Sequence, residues 1–404
     1  MNKDIVFLCQ FFYPETVSSA TLPFDTARYL AESGFRVGAL CGYPKEYSTD
    51  KNVPVEETVS DIHIRRMKYI QLSRVGSIGR LINYFSFTLK AWCNAKKLKN
   101  CGCTIVYSNP PVLPLAAIRA KRKYGTKLVF VAYDVYPEIA YASGSIRKGN
   151  LLDRVMGWVN KQLYTYADAV VTLTDEMKAY LLSVRPELSA DRVYTIENWA
   201  HEKEVPPLAA ETAEKFGFAK EQFIVGYFGN LGTCQDIETM LQTAKLMKED
   251  PSFGFLIVGH GNKKPYVQKF IEDNQLTNVK VFDYLVGEEF GQAVALASCS
   301  VVSLEPGLKG TCAPSKYYSC LLGGHPVIAV VEKGSYLARE VSGAGIGCHI
   351  ENGDAEGFRN ALLALQADPE ALKQMSQKAR SLYKENYDYP IAMKKYKALL
   401  EKIL

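Results

Sequence analysis

Residues 223–232 read FIVGYFGNLG, an apolar run that ends in a turn with two glycines. The pattern returns at 253–261 (FGFLIVGHG) and, with one glycine, at 300–307 (SVVSLEPG). Each stretch predicts a buried β-strand, a tight loop and then a helix. In open α/β sheets a ligand binds outside the carboxyl ends of the strands, and glycine lets the backbone approach a phosphate closely. The three loops together therefore predict one site for a phosphate-containing ligand.

Strand and helix patterns alternate from end to end, which indicates parallel sheets flanked by helices. A chain of 404 residues is too long for one hydrophobic core and suggests two domains. We expect an α/β protein with a first domain at 1–200 and a second at 201–389. A polar, proline-containing stretch at 201–208 predicts the linker, and the last helix, 390–404, is expected to pack back on the first domain.

The expected elements of the first half can be given by residue number. Strands are expected at 5–9, 36–41, 104–107, 128–132 and 169–173. Helices are expected at 22–32, 78–99, 113–124 and 151–166. In the second half, strands are expected at 223–228, 253–258, 279–282, 300–304, 327–330 and 346–349.

Several common classes of binding protein do not fit these patterns. The first strand-to-helix turn, residues 10–20, contains no glycine, whereas the dinucleotide fingerprint GxGxxG needs glycines there. The phosphate loop GxxxxGK[ST] is absent from the sequence, which argues against a P-loop ATPase. The ten cysteines show no CxxC pair or repeated metal spacing, so we expect free thiols in a reducing cytoplasm and no bound metal.

The positive charge of the chain is concentrated in one segment. The formal net charge is +5, yet no acidic residue lies between Asp61 and Asp134, where fourteen lysines and arginines occur. The helix expected over 78–99 interleaves apolar and basic residues, as suits the surface of an anionic membrane. We predict such a contact for residues 62–133. A solvated basic face over a packed helix is the alternative, and nucleic acid is not expected because no recognised motif is present.

The first residues of the chain and its hydropathy are those expected of a cytoplasmic protein. No apolar run approaches the roughly 18 residues that a spanning helix needs. The first residues are expected to form a β-strand, because their short apolar run lacks the length and cleavage site of a signal peptide.

A series of short motifs follows in one order along the chain. They are FFYPE at 11–15, DVYPE at 134–138, NW at 198–199, GNLG at 229–232, VGHG at 258–261, PSK at 314–316 and GHPVI at 324–328. In this order and spacing the chain resembles the family 4 retaining glycosyltransferases. Within that family it is most similar to the bacterial transferases, including N-acetylfucosamine-type enzymes, that build O-antigen, capsule or colanic-acid repeat units.

The resemblance implies a fold, a reaction and a location. The fold is GT-B, two Rossmann-like domains whose parallel sheets face each other across a cleft. The reaction moves a sugar with retention, without a metal cofactor, from a UDP-sugar donor, and an N-acetylhexosamine or a deoxy derivative is favoured. The acceptor is a glycan, often linked to polyprenyl diphosphate, at the inner face of the cell membrane.

The donor site is expected in the second domain. Lys316 is the predicted cation for the departing pyrophosphate, because it follows Pro314 and Ser315 at a helix start, where free N–H groups attract phosphate. Glu305 is expected to bind hydroxyls of the donor sugar. The other candidates for donor binding are Gly229, Asn230, Gly232, Gln235, Gly259, His260, Tyr284, Leu285, Thr311, Ser315 and Ser319.

Some of these positions depart from the wider family. Two glutamates eight residues apart are usual there, and their places are taken here by Thr311 and Ser319. The usual arginine and lysine after the first strand of this domain are replaced by Asn230 and Gln235. The resemblance therefore implies that the contacts to ribose and phosphate are rearranged.

The acceptor side is expected in the first domain. Ser18 and Ser19 stand where many family members have glycines near the pyrophosphate, and they offer hydroxyls and backbone N–H groups. Asp134 follows an apolar strand and is expected to orient the attacking hydroxyl. No separate strong base is implied, because the leaving phosphate oxygen can accept the proton of the acceptor.

Each candidate also has a structural interpretation. Lys316 could be a solvated surface lysine, Glu305 a turn residue and Asp134 a turn cap. Tyr284 could be a packing residue, and a lone histidine such as His260 is more often structural. For the whole chain the alternatives are a non-catalytic GT-B subunit that supports a partner transferase and a sugar-nucleotide epimerase.

Overall fold

The computed structural model describes residues 3–44, 48, 52–72, 77–142, 144–201, 211–283 and 285–404. The described residues form two compact units. The first unit contains the chain up to Asn198 together with Gly310–Ala313 and Pro390–Leu404. The second contains Trp199–Lys309 and Pro314–Tyr389. Most of the linker predicted at 201–208 lies outside the described residues.

The first unit is an α/β sandwich around one sheet. Its strands are β1 (Lys3–Leu8), β2 (Val37–Gly42), β3 (Glu56–Val59), β4 (Ile62–Met67), β5 (Cys101–Tyr107), β6 (Lys127–Ala132), β7 (Ala169–Thr172) and β8 (Val193–Thr195). Its helices are α1 (Ser18–Glu32), α2 (Ser77–Cys93), α3 (Pro114–Tyr124), α4 (Glu138–Ala142), α5 (Leu151–Tyr166) and α6 (Asp175–Val184). The strand order is β3-β4-β2-β1-β5-β6-β7-β8, and only the pair β3–β4 is antiparallel.

The second unit repeats this architecture with a wholly parallel sheet. Its helices are α7 (Thr212–Lys215), α8 (Glu238–Leu246), α9 (Lys264–Asn274), α10 (Gly287–Leu296), α11 (Lys316–Gly323), α12 (Tyr336–Gly343), α13 (Ala355–Ala367) and α14 (Pro369–Leu382). Its strands are β9 (Phe223–Phe228), β10 (Phe253–Val258), β11 (Val279–Phe282), β12 (Cys299–Ser303), β13 (Val327–Val330) and β14 (Gly347–Ile350). The strand order is β11-β10-β9-β12-β13-β14. The last helix, α15 (Tyr389–Ile403), lies in the first unit from Pro390 onward.

The central strands are apolar because they are covered on both faces. All six residues of β2 and of β10 are buried, as parallel strands between two helical layers require. In the first unit β5 and β6 pack against α2, α3 and α5 in one hydrophobic cluster. These strands were recognisable from the sequence as short continuous apolar runs.

The strands missed at the sequence level lie at the edges of the first sheet. β3 and β4 form a hairpin whose turn residues, Ser60 and Asp61, have φ values of 49° and 60°. This conformation matches a two-residue hairpin turn, for which Asn-Gly is the usual sequence signal. Because Ser-Asp stands there instead, the sequence did not indicate the hairpin. The helix expected over 78–99 ends at Cys93 and is followed by a short 3₁₀ turn, Ala95–Leu98. Helix α1 begins at Ser18, four residues before the expected start, and contains Pro23.

Replacing two glycines by alanine tests the packing of these elements, and the two changes should alter the stability of the protein in opposite directions. Gly157 lies inside α5 with nothing within 4 Å of an added Cβ, so Gly157→Ala should stabilise the protein by about 0.5–1 kcal/mol. Gly347 in β14 has no such room, since an added Cβ would lie 1.9 Å from the Val327 carbonyl oxygen of β13. Gly347→Ala should therefore lower the melting temperature. Thermal unfolding of both variants checks this, and a wild-type melting temperature for Gly347→Ala would contradict the β13–β14 register.

Candidate functional site

The second sheet has a reversal of strand order beside β9. From β9 the chain adds β10 and β11 on one side and then β12, β13 and β14 on the other. The loops that follow β10, β9 and β12 are therefore neighbours at the carboxyl edge. A crevice at such a reversal is where ligands bind in open α/β sheets. The three loops that opened the sequence prediction meet at this point.

Backbone hydrogen bonds join the first two of these loops. The Leu231 N–H donates to the His260 carbonyl over 2.9 Å, and the Lys263 N–H donates to the Leu231 carbonyl over 2.9 Å. The approach is so close that a Cβ on Gly259 would lie 1.9 Å from the Gly229 carbonyl oxygen. Gly259 is thus required by packing, and the backbone itself forms the wall of the site.

Lys316 is the first residue of α11 and has a buried ammonium group. The residue is half-buried, but its Nζ atom is out of contact with solvent and has no hydrogen-bond partner in the described part of the chain. Nζ lies 3.7 Å from the centroid of the Tyr227 ring, and its Cε approaches Gly229. Desolvation lowers the pKa of Lys316 to about 7. A buried ammonium without an anion is costly, so this position suits a negatively charged ligand.

Lys263 is a site residue that the sequence interpretation missed. Its Nζ forms an ion pair with the Glu305 carboxylate and donates to the Gln235 carbonyl over 2.7 Å. The Glu305 N–H donates to the Cys234 carbonyl over 2.9 Å. Lys263 therefore links all three loops and places a cation beside Gln235. Its signal was available, because it lies two residues after the VGHG motif.

Asn230, Gly232 and Gln235 shape the loop after β9. The Tyr227 hydroxyl donates to the Asn230 carbonyl over 2.7 Å, and the Gly232 N–H donates to the Gln235 Oε1 atom over 3.1 Å. The side-chain oxygen of Gln235 thus closes a local turn. These contacts fix the conformation of the loop that carries Gly229.

The described candidates beside β10 and β11, His260 and Leu285, lie in different environments. His260 is exposed, and its Nδ1 lies 3.4 Å from the Asp283 carboxylate, which also pairs with Lys264. These two partners, Lys264 first, hold the pKa of Asp283 below its usual value. Leu285 packs against a hydrophobic cluster that includes Leu256. Tyr284 lies outside the described residues.

Ser315, Ser319 and Thr311 do not share one environment. Ser315 precedes α11 and makes no side-chain cap, and Ser319 lies one turn into the helix, so both are exposed. The first turn of α11 thus has no side-chain cap, although the Tyr317 N–H donates to the Pro314 carbonyl over 3.1 Å, and the positive end of the helix favours an anion. Thr311 is buried in the first unit, where its carbonyl accepts a hydrogen bond from the Val135 N–H over 2.8 Å.

Asp134 follows β6 in the first unit and forms a β-bridge with Cys312. Its N–H donates to the Ser108 Oγ over 3.1 Å. Its carboxyl has no hydrogen bond or ion pair within the described ranges, and desolvation raises its pKa to about 6. The next helix, α4, begins only at Glu138. The side chain is therefore free to accept a hydrogen bond from a ligand hydroxyl.

Ser18 and Ser19 form the first turn of α1. Ser18 is exposed and Ser19 is half-buried. The residue before them, Val17, gives no side-chain cap, so their N–H groups are open at the positive end of a 15-residue helix. The loop that leads to them is held by Arg66, which donates to the Tyr13 carbonyl over 2.9 Å.

Part of the positive charge in the acid-free segment is neutralised within the first unit. Arg65 pairs with Glu56 at 2.6 Å, Arg66 pairs with Glu57 at 2.5 Å, and Lys121 pairs with Asp168. Arg66 is also buried. The prediction that the whole segment faces an anionic partner is therefore too broad, because these cations serve the fold. The remaining basic residues lie mainly on α2, α3 and the turn between α2 and β5.

Helix α2 has apolar residues on two opposite sides. Phe87 and Ala91 are buried in the core of the first unit. The outward side carries exposed large apolar residues, namely Ile78, Leu81, Ile82, Phe85, Leu89 and Trp92. A solvated basic face would not need them, so the outward side fits a contact with an apolar or membrane surface. None of the described helices is long and apolar enough to cross a membrane.

The described residues contain no group of three or more His, Cys, Asp or Glu side chains that could hold a metal ion. Activity without a metal stays a prediction. The arrangement of Lys316, Lys263 and the uncapped start of α11 nevertheless supplies positive charge and N–H donors where a phosphate would bind.

Comparison with known proteins shows which families and relatives this chain is similar to. Two family models match the chain, Glycosyltransferase Family 4 over residues 20–202 and Glycosyl transferases group 1 over residues 209–382. The probable glycosyltransferase WbjE of Pseudomonas aeruginosa is 27% identical over 81% of this chain and 80% of its own length. The putative colanic acid biosynthesis glycosyl transferase WcaI of Escherichia coli (strain K12) is 25% identical over 45% of this chain and 46% of its own.

A solved structure shows the same fold over the whole chain. HepE of Anabaena, in complex with UDP and glucose, superposes with a TM-score of 0.74 at 14% identity and covers 99% of each chain. The fold class expected from the sequence, two Rossmann-like domains of the GT-B type, is confirmed.

The buried ammonium of Lys316 gives a test that depends on pH. Its folded pKa of about 7 lies below the usual value of 10.5, so the cost of burying its charge is fully present below pH 7 and fades as pH rises toward 10.5. Urea unfolding should show Lys316→Met more stable than wild type at pH 6, with the difference shrinking by pH 10. The exposed Lys309→Met is the control and should show no such trend. A difference independent of pH would contradict the burial of the charge.

Proposed function

We propose that this chain, a glycosyltransferase with the GT-B fold, transfers a sugar with retention from a UDP-sugar to a glycan acceptor during assembly of a surface polysaccharide. The transferred sugar is an N-acetylhexosamine or a deoxy derivative. The observation that carries the proposal is the buried ammonium of Lys316, which has no hydrogen-bond partner among the described residues and lies at the start of α11, where no side chain caps the helix. That combination is a binding site for the diphosphate of the donor.

The chemistry explains why a cation is needed there. The bond between the anomeric carbon and the phosphate oxygen breaks, and negative charge builds on the departing diphosphate. Lys316 and the first N–H groups of α11 stabilise that charge without reorganising, which is the most effective form of electrostatic catalysis. Gly229 has no side chain beside the Lys316 stem, so the phosphates can approach the backbone there.

Glu305 and Asp134 take the roles of hydrogen-bond acceptors. Lys263 fixes the Glu305 carboxylate, which is then oriented to accept bonds from donor-sugar hydroxyls. The Asp134 carboxylate, with its pKa of about 6, is mostly ionised at neutral pH and accepts a hydrogen bond from the attacking hydroxyl. The acceptor oxygen bonds to the anomeric carbon, and its proton passes to the leaving phosphate oxygen on the same face.

The relatives support the choice of donor and pathway. HepE was solved with UDP and glucose, and WcaI is named for colanic acid biosynthesis. The outward apolar side of α2, with the basic residues beside it, supports an acceptor linked to polyprenyl diphosphate and a peripheral position on the inner membrane face. We place the chain within the bacterial group that includes N-acetylfucosamine-type transferases.

Donor binding tests the assignment of Lys316. The melting temperature of the wild type should rise with UDP and UDP-sugars and little with uridine, since binding to the folded state stabilises it. In Lys316→Ala the affinity for UDP should fall roughly 10- to 100-fold, as expected for loss of a bond to a charged group. Lys309→Ala, which removes an exposed lysine seven residues earlier, should bind UDP like wild type.

Two outcomes would count against this proposal. Equal UDP affinity in Lys316→Ala and wild type would remove Lys316 from the diphosphate site. No melting shift with any member of a nucleotide-sugar panel would favour a non-catalytic subunit. Retention is checked separately by proton NMR of the first product formed, whose anomeric configuration should match that of the donor.

Membrane association gives a further test. A variant with Arg80, Lys90, Lys96 and Lys97 changed to glutamine should lose binding to vesicles that contain anionic lipid, because these cations attract the headgroups. Flotation of vesicles with bound protein measures this. The control changes Lys245, Lys248, Lys269 and Lys280 of the second unit to glutamine and should float like wild type. Undiminished flotation of the first variant would contradict the proposed position.

A further inference from the structure

Helix α5 also carries an exposed apolar stripe, which no motif of the sequence pointed to. Leu151, Val155 and Trp158 are 77%, 37% and 55% exposed. They lie at positions i, i+4 and i+7 and so form one row along the helix. The opposite side, including Met156 and Val159, is buried. The outward direction of the stripe is therefore fixed by the packing of α5.

Helix α3 lies between α5 and α2 in one helical layer. It packs against both of them, and the three helices share the hydrophobic cluster that covers β5 and β6. Neighbouring packed helices are about 8–10 Å apart, so the stripe of α5 and the outward side of α2 are separated by roughly 20 Å. Two apolar rows thus run along the same side of the first unit.

Basic side chains of α3 extend toward both rows. The Arg119 guanidinium lies 4.8 Å from the ring centroid of Trp92 on α2, and that of Arg122 lies 5.7 Å from the ring of Tyr166 on α5. Neither α2 nor α3 contains an acidic residue. The single acid of α5, Asp153, is bonded by the Tyr141 hydroxyl and the Gly149 N–H. This surface therefore consists of an apolar row on α2, basic residues on α3 and a second apolar row on α5.

We propose that α5 is a second membrane-binding element, which docks on an anionic bilayer together with α2. The two apolar rows enter the interface, and the arginines of α3 face the lipid headgroups between them. Trp158 suits the level of the lipid headgroups, where one part of its indole ring contacts acyl chains and the other contacts polar groups. Two contacts about 20 Å apart hold the first unit in one orientation on the membrane, which a single helix cannot do.

Charge decides between a bilayer and a second copy of the chain. Arg154 and Lys161 are exposed beside the α5 stripe, in addition to the arginines of α3. A symmetric dimer through this surface would bring these cations together, and like charges across an interface are unfavourable. Anionic lipid is complementary to all of them. The inference rests on the proposed membrane position of α2, which can be tested apart from it.

The first experiment changes the stripe itself. In Leu151→Ser/Val155→Ser/Trp158→Ser, the partition coefficient on vesicles of 30% phosphatidylglycerol in phosphatidylcholine should fall about tenfold or more. The control is Leu246→Ser/Val286→Ser/Leu363→Ser, which removes exposed apolar residues of the second unit and should bind like wild type. Unchanged melting temperature and UDP-induced shift show that the variants are folded.

The second experiment leaves the stripe intact. The chain has three tryptophans, so Trp92→Phe/Trp199→Phe leaves Trp158 as the only fluorophore of that type. Its emission should shift to shorter wavelength with anionic vesicles and be quenched by brominated lipid. Emission unchanged by vesicles that bind the protein would overturn the role of α5.

The outcomes separate this inference from the proposed function. If the α5 variant floats like wild type while the basic variant of α2 is released, the second contact is wrong and the membrane position stands. If wild type does not bind vesicles, both are wrong. If light scattering shows a dimer that the α5 variant converts to monomer with unchanged flotation, the stripe is a self-association surface instead.

Discussion

Parallel strand pairing is the constraint on which both candidate sites depend. Each strand of the second sheet is connected to the next by a crossover, so all its strand-to-helix loops lie at the carboxyl edge. The order reverses once, between β9 and β12, and between β1 and β5 in the first sheet. Lys263 comes from the crossover that follows β10, whereas Glu305 and Lys316 come from the crossover that follows β12, and the reversal places these two crossovers on either side of β9. The order of the strands thus decides which loops, and therefore which side chains, come together at this site.

Two lysines of the second unit, Lys263 and Lys316, carry the same charge in different environments. Lys263 is neutralised by Glu305 and the Gln235 carbonyl, so it holds the loops in place at little electrostatic cost. Among the described residues, the Lys316 ammonium has no hydrogen-bond partner and lies over the face of the Tyr227 ring, a weaker partner than a carboxylate. Its burial is therefore unfavourable in the absence of an anion, and the proposed diphosphate would relieve that cost.

The sequence predicted the fold well because the central parallel strands are short continuous apolar runs, and β9 and β10 also end directly before a glycine. It predicted the site less completely. Lys316 was found from its place at a helix start, but the pairing of Lys263 with Glu305 depends on which loops become neighbours across the sheet. Thr311 was assigned to the donor site by counting along the chain, whereas its backbone bond ties it to Val135 in the first unit. Tertiary placement of this kind leaves no local pattern. The exposed stripe of α5 was not predicted, because three apolar residues at helical spacing usually indicate a side of the helix that is buried in the core.

Residues 310–313 lie in the first unit although the chain before and after them lies in the second. Only Pro314 and Ser315 separate this segment from Lys316. Exchange of the second unit between relatives therefore cannot be a simple cut at residue 200, since the transplanted half would carry a four-residue segment whose backbone partners, Asp134 and Val135, belong to the recipient. Compatibility at those two positions, more than similarity of the domains as wholes, should decide which chimaeras fold. The second unit is thus built from two stretches of the chain, Trp199–Lys309 and Pro314–Tyr389, on either side of a segment that belongs to the first unit.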